Sequence, residues 1–547
     1  MRTLDWAVLA ASLIFIVSYG LYKSRGSNTV NKYLLAGKTM PWYAMALSIM
    51  ATQASAITFI STTGQAYVDG MRFVQFYFGL PVAMVILCAT AVPSFHRANV
   101  YTAYEYLERR FDAKTRTATT IIFLIQRGLA VGLALYAPAI VLAVVFGWPD
   151  QITTVVMGGI VIFYTVIGGI QAVTWTDVQQ MLIIFLGLFV AVGMALYLLP
   201  ADISALDAMR IAGAAGKLNA VDFRFNPNQT FTLWSGLIGG AFLALAYFGT
   251  DQSQVQRYLT GKSIAQSRLS LLFNAMAKLP MQFFILLTGA LVFVFYLFVK
   301  PPVLFEQPAL DRIQARPEFA AIQSSYDQAF ETRRIAARAM LEGGFDPAEV
   351  ERFRGAEKQF LAVRRQAGEL AVPGFNDTNY IFLTFVTRHL PVGVVGLILA
   401  AIFAAAMSTI SAEVNALATV TVIDIYQRHI RPRASDRQYL NAARLATLFW
   451  GGYAVMFAEY GRNLGSLIVA VNMLGSLFYG SLLGVFAVAF FMPRAGGNAA
   501  FFGLLAGEAA ILATWKFTGV SFLWYNVVGC LVVLATAWLI SRMSPRS

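Results

Sequence analysis

Long apolar runs recur along almost the whole chain, separated by short polar stretches. A helix crossing the hydrocarbon core of a bilayer needs about 20 mostly apolar residues. Runs of that kind predict thirteen spans, over 4–22, 41–66, 72–95, 117–147, 150–170, 178–199, 231–256, 267–300, 391–424, 440–460, 463–491, 499–517 and 520–541. The first is read as a span and not a signal peptide, because Asp5 stands at its start, Lys23 and Arg25 follow it, and no small-residue cleavage site is evident. One long stretch, 301–375, breaks the pattern by being hydrophilic. It still reads as helical: Gly343 and Gly344 would end one helix, and Asp346, Pro347 and Glu349 would start the next. A lid or packing element over the outer face is expected there, with a partner-binding module as the alternative.

Two spans are not uniformly apolar. Within 48–64, Ser48, Thr52, Gln53, Ser55, Thr58, Ser61, Thr62 and Thr63 put hydroxyls and an amide in mid-span, and 247–254 places Gly249 and Asp251 where lipid-exposed helix would tolerate neither. Paired weak points in two halves of a chain are the sequence signature of inverted repeats with broken helices around a midplane binding site. The segments 41–199 and 231–491, without the insert, each hold five predicted spans. A two-times-five core follows, with one leading helix and two trailing ones over 499–541. In span 391–424, Ser408, Thr409 and Ser411 follow the small run Ala404 to Ala406. Hydroxyls and freed backbone carbonyls are the oxygen donors a small hard cation takes; the alternative is that each hydroxyl bonds the preceding turn and serves helix packing.

Composition excludes most other classes. Apolar residues make up 58% of the 547 and charged ones only 13%, against about 25% charged in soluble proteins. The net charge of +13 finds its place in the loops: alternate loops carry 19 lysines and arginines in one set and 7 in the other. Positive loops stay cytoplasmic, so the amino terminus is expected outside and the carboxyl terminus inside, in the plasma (inner) membrane. No nucleic-acid partner is needed to explain the charge, and the insert is neutral, with 11 basic and 11 acidic residues from Lys300 to Phe375. Cys88 and Cys530 both sit in apolar runs and read as buried thiols. The three histidines, His96, His389 and His429, lie near span ends without metal-ligand spacing or a nucleophile beside them, so an enzyme is not expected. A channel would want a pore lined by repeated symmetry, and a sensor would want an attached output domain.

At these residues the chain resembles the sodium:solute symporter family, which includes sodium/glucose, sodium/proline and sodium/iodide symporters. The matching stretches are Ser55 and Ala56 with Gly64 and Gly70, Tyr101 to Phe111, Leu135 to Ala139, Gly168 to Asp177, the alanines before Ser408 and Thr409, Asn415, and Asp424 to Tyr426. The resemblance implies an all-α, LeuT-type fold and a sodium-coupled symporter that imports a small polar or anionic organic solute by alternating access. A sugar or polyol symporter is the alternative within the fold; a sensor or channel is the alternative outside it. Sodium, the solute and the lipid bilayer are the implied partners, with no other cofactor and no obligate protein partner. It implies a sodium site at the carbonyls of Ala51, Ala54 and Ala405 and the hydroxyls of Ser408 and Thr409. Asp177 and Ser411 match a second sodium or exit site, where Ala412 lacks a hydroxyl that some members carry. The implied solute site comprises Ser55, Thr58, Gln75, Tyr77, Lys278 and Asn472, with Tyr247 as an aromatic gate. Sugar-binding members carry acidic or amide groups where Thr58, Tyr77 and Ala244 stand here, and the Tyr101 to Phe111 stretch is closer to the iodide, multivitamin and monocarboxylate branch.

Ionisable residues at depth are costly and usually functional. Arg127 and Glu413 lie in different spans at comparable depth, which allows a charge pair; Arg127 alternatively suits a solute carboxylate. Lys278 is either an orienting ammonium or a solute donor. Asp177 stands at the expected start of a span, so a helix N-cap competes with the sodium role.

Overall fold

The computed structural model describes residues 2–25, 29–458 and 466–543. Two of the basic residues used for orientation, Arg462 and Arg546, and the expected boundary between the spans 440–460 and 463–491 lie outside the described residues. The described residues are 82% helical, and no strand occurs among them. Nine helices among them are long and apolar enough to cross a membrane. That is fewer than thirteen for three reasons. The two spans with polar interruptions are broken into short helices, 150–170 and 178–199 fall in one helical run, and Asp436–Phe457 falls outside the nine.

The broken spans lie where the polar residues are. Helix Trp42–Gln53 ends, Ala54 (φ −87°, ψ 70°) and Ser55 (φ −75°, ψ 169°) leave helical geometry, and helix Ala56–Asp69 resumes. In the other, Gly240–Gly249 gives way at Thr250 and Asp251 to Gln252–Leu259, whose start Asp251 caps by accepting from the Ser253 amide at 2.9 Å. Each break frees backbone groups that a continuous helix would consume. The 48-residue run Asp150–Tyr197 contains a single non-helical residue, Gly169 (φ 56°, ψ −152°). Only glycine fits there: an added Cβ would lie 2.5 Å from the Tyr33 carbonyl oxygen.

Helix Val394–Val420 is buried along nearly its whole length. It packs on Thr3–Lys23, Trp42–Gln53, Ala113–Phe146, Asp150–Tyr197 and Asp436–Phe457. Its alanines permit that crowding: a Cβ on Gly187 would come within 2.6 Å of the Ala401 methyl. Its amino terminus is capped from the leading helix, where Asp5 Oδ1 accepts from the amides of Gly393 (2.6 Å) and Gly396 (3.2 Å).

The hydrophilic insert is a helical hairpin, Phe319–Glu342 and Pro347–Ala371, with Asp346 accepting from the Ala348 amide at 3.0 Å. It is tied down at several points. Arg364 pairs with Asp377 at 2.9 Å, Arg333 donates to the Tyr296 carbonyl at 2.6 Å, and Arg338 pairs with Asp202 at 2.7 Å. Next to Asp377, the Thr378 backbone presses on Gly64 of helix Ala56–Asp69. A second polar cluster joins the Tyr101 to Phe111 stretch to Asp424: Arg116 bridges Asp424 (2.7 Å) and Glu108 (2.7 Å), Arg428 pairs with Glu108 (2.7 Å), and Thr102 donates to Asp424 (2.9 Å).

Candidate functional site

The first break faces the hydroxyls of helix Val394–Val420. Ser408 donates to Asp177 Oδ1 at 2.6 Å, Ser48 donates to Asp177 Oδ2 at 2.5 Å, and Thr409 donates to the Thr52 carbonyl at 3.0 Å and the Ala405 carbonyl at 3.2 Å. Ser411 donates to the Ser408 carbonyl at 3.1 Å. Ala51, Ala54 and Ala405 are fully buried in the same region. Three helices are thereby joined through oxygen-rich groups, and a serine that donates its proton to Asp177 keeps its lone pairs for a cation. The N-cap reading of Asp177 is corrected: the residue lies eight positions beyond Gly169, inside the run Asp150–Tyr197. The gap left between the expected spans 150–170 and 178–199 is helical, because the single positive-φ residue Gly169 separates the two segments.

Beside this junction lies a cavity of about 100 Å³, lined by Ser55, Thr58, Tyr77, Tyr247, Asn472, Thr409, Arg127 and Glu413 among others. Five of the seven expected solute residues are therefore brought together. The other two are not on the wall. Gln75 spends its amide on backbone, donating to the carbonyls of Arg72 (3.2 Å) and Phe231 (3.0 Å) and accepting from the Asp222 amide (2.8 Å), so it holds the 222–231 segment in place. Lys278 stands behind the wall, fully buried, its Nζ 5.4 Å from the centre of the Tyr77 ring and without a hydrogen-bond partner.

At the cavity wall the expected Arg127–Glu413 pair forms, with Nη1 on Glu413 Oε1 at 2.6 Å. Nη2 bonds Asp251 and the Tyr479 hydroxyl (2.7 Å), and Tyr479 donates to Asp251 at 3.1 Å. The guanidinium lies 5.6 Å from the Tyr247 ring centre. This network joins helix Ala113–Phe146, the second break, helix Val394–Val420 and helix Leu467–Phe491.

The model of the sodium:solute symporter family matches residues 33–311 and 349–507. The chain belongs to that family. The symporter is 28% identical to human sodium-coupled monocarboxylate transporter 1 over 93% of its own length and 72% of the relative's. It is 27% identical to the sodium/sialic acid symporter NanT of Aliivibrio fischeri, over 99% of this chain and 93% of that one. It is 26% identical to the human sodium/iodide cotransporter, over 94% and 70%. Its fold matches a solved substrate-bound outward-open state of a Na+-coupled sialic acid symporter, with a TM-score of 0.79, 24% identity and coverage of 100% of this chain and 98% of that one.

Sequence reasoning missed several residues that the symporter gathers at this site. Asp251 was legible as an oddity in a span, but its pairing with Arg127 and Tyr479 joins positions 124 and 228 residues apart. Ser48 and Thr52 carried a signal as in-span hydroxyls without an indication of their partners. Arg257 gave no signal because it reads as a loop cation; it is fully buried, with its Nε 3.4 Å from Thr52 Oγ1.

Proposed function

We propose that this sodium-coupled symporter carries a small polar or anionic organic solute into the cell, across the plasma (inner) membrane, by alternating access. In this reading the carbonyls of Ala51, Ala54 and Ala405 and the hydroxyls of Ser408 and Thr409 hold the coupling sodium. Asp177 and Ser411 form a second sodium or exit site. Ser55, Thr58, Tyr77, Tyr247 and Asn472 surround the solute, with Lys278 behind Tyr77 and Gln75 as support. The repeats are 41–199 and 231–491, with the insert on the outer side, the amino terminus outside and the carboxyl terminus inside.

The observation that carries the reading is the hydroxyl junction, in which Ser408 and Thr409 bond Asp177 and Thr52 beside a cavity that Thr409 itself lines. A cation there holds the broken helix against helix Val394–Val420, so the cavity shape that binds solute and the shape that binds sodium are the same state. Solute affinity and sodium affinity then rise together, as linkage requires. The test is solute accumulation in proteoliposomes under an inward sodium gradient, with choline replacing sodium as control. Equal uptake under both salts would sink the coupling.

A further inference from the structure

The cavity wall is asymmetric in what it leaves free. Both terminal nitrogens of Arg127 are occupied, by Glu413, Asp251 and Tyr479, and only its Nε is buried without a partner, one free donor against the three free acceptor oxygens of Glu413, Gln53 and Gln126. Two carboxylates against one guanidinium leave this cluster with one formal negative charge. Asp251 is fully engaged, since its other oxygen accepts from the Ser253 amide (2.9 Å) and hydroxyl (2.7 Å). Glu413 is not. It lines the cavity at 4% exposure, one oxygen bonds Arg127, and the other, Oε2, is buried without a partner. The Gln53 Oε1 oxygen in the same wall is also unpartnered. A buried carboxylate oxygen without a donor is costly. A bare carboxylate or halide brings only acceptors and negative charge to it.

We propose that Glu413 Oε2 anchors a hydrogen-bond-donating group of the solute, so that the transported class is amine- or hydroxyl-bearing organic molecules and not bare carboxylates or halides. The proposal rests on the symport reading and narrows its substrate class. An ammonium would complete the charge balance of the Arg127–Asp251–Glu413 cluster, and a hydroxyl would donate one charge-assisted bond. Arg127 in this arrangement positions Glu413 through Nη1.

Thermal stabilisation of the purified full-length symporter tests this, in sodium and in choline, with propionate, lactate, alanine, a hexose and a hexitol as probes. Sodium alone should raise the melting temperature, and at least one donor-bearing probe should raise it further while propionate does not. Glu413→Gln should weaken that probe about tenfold or more if it is an amine, and roughly threefold if it is a hydroxyl. Glu413→Asp, which keeps the charge but withdraws the carboxylate by one methylene, supplies the same comparison if the amide variant fails to fold. Absence of any sodium response would overturn the symport reading. A sodium response with no donor-bearing probe better than propionate, or with probe affinity unmoved in the Glu413 variants, would overturn the donor proposal.

Discussion

Replacing Ser408 by alanine removes a hydroxyl that donates to Asp177 at 2.6 Å and, in the proposed site, a sodium ligand. The lost contact between the hydroxyl oxygen and the cation, valued like a hydrogen bond to a charged group at about 1.5–3 kcal/mol, should weaken sodium binding roughly ten- to hundredfold. Sodium present at about 100 times its dissociation constant stabilises the folded state by about 2.7 kcal/mol; a tenfold weaker site retains about 1.4 and a hundredfold weaker one about 0.4. Sodium titration of the melting temperature therefore separates the cases. Ser48→Ala is the control, because it also takes a donor from Asp177, at 2.5 Å, without removing a proposed ligand. Both variants should lower the sodium-free melting temperature, and only Ser408→Ala should flatten the sodium response. If Ser408→Ala responds to sodium as the wild type does, the site is not at Ser408.

Arg127→Gln leaves Asp251 and Glu413 buried without their counter-charge and should destabilise by about 3–5 kcal/mol. Adding Glu413→Gln should restore part of that in a melting experiment, and strictly additive losses would argue against the network. Gly64→Ala would put a methyl carbon 2.0 Å from the Thr378 carbonyl oxygen, so about 1–3 kcal/mol of overpacking is expected. Gly355→Ala, in open space on the insert, should instead raise stability by up to about 1 kcal/mol, and equal melting temperatures for the two would refute the packing argument. Burial opposes ionisation of Glu108, but its bonds from Arg428 and Arg116 outweigh it and hold the carboxyl below the usual glutamate range. A lowered folded value means that the stabilisation is present above the unfolded glutamate value of about 4.3 and fades as pH falls through the folded one. The stability gap between wild type and Glu108→Gln should thus be level near neutrality and close in acid.

What could be seen in the sequence was whatever hydropathy and spacing encode. The apolar runs, the two interruptions and the Asp346 cap are local features, set by burial in lipid and by backbone satisfaction within a few residues. Span counts were less legible, because a residue such as Gly169 ends one segment and begins the next with no polar signal. The site was half legible. Ser55, Thr58, Tyr77, Tyr247 and Asn472 do meet at one cavity. Gln75 was misplaced because an amide one turn from a cavity and an amide on its wall look alike in sequence, and only the 222–231 backbone reveals which it is. Asp251 shows the reverse limit: a buried aspartate announces itself, but its counter-charge lies on another helix.

The Gly169 break has a consequence for how the length of this chain can change. A straight 48-residue helix would run about 72 Å, more than twice the thickness of a bilayer core, so this residue alone divides the run. A surface loop between two elements tolerates insertions and deletions. Here Asp177 follows eight residues later, and one residue added or lost between them would swing it by about 100°, off both Ser48 and Ser408. The turns of the hydrophilic insert can grow or shrink by comparison, but from Gly169 to Asp177 the spacing is a ruler, and residue count itself is under constraint.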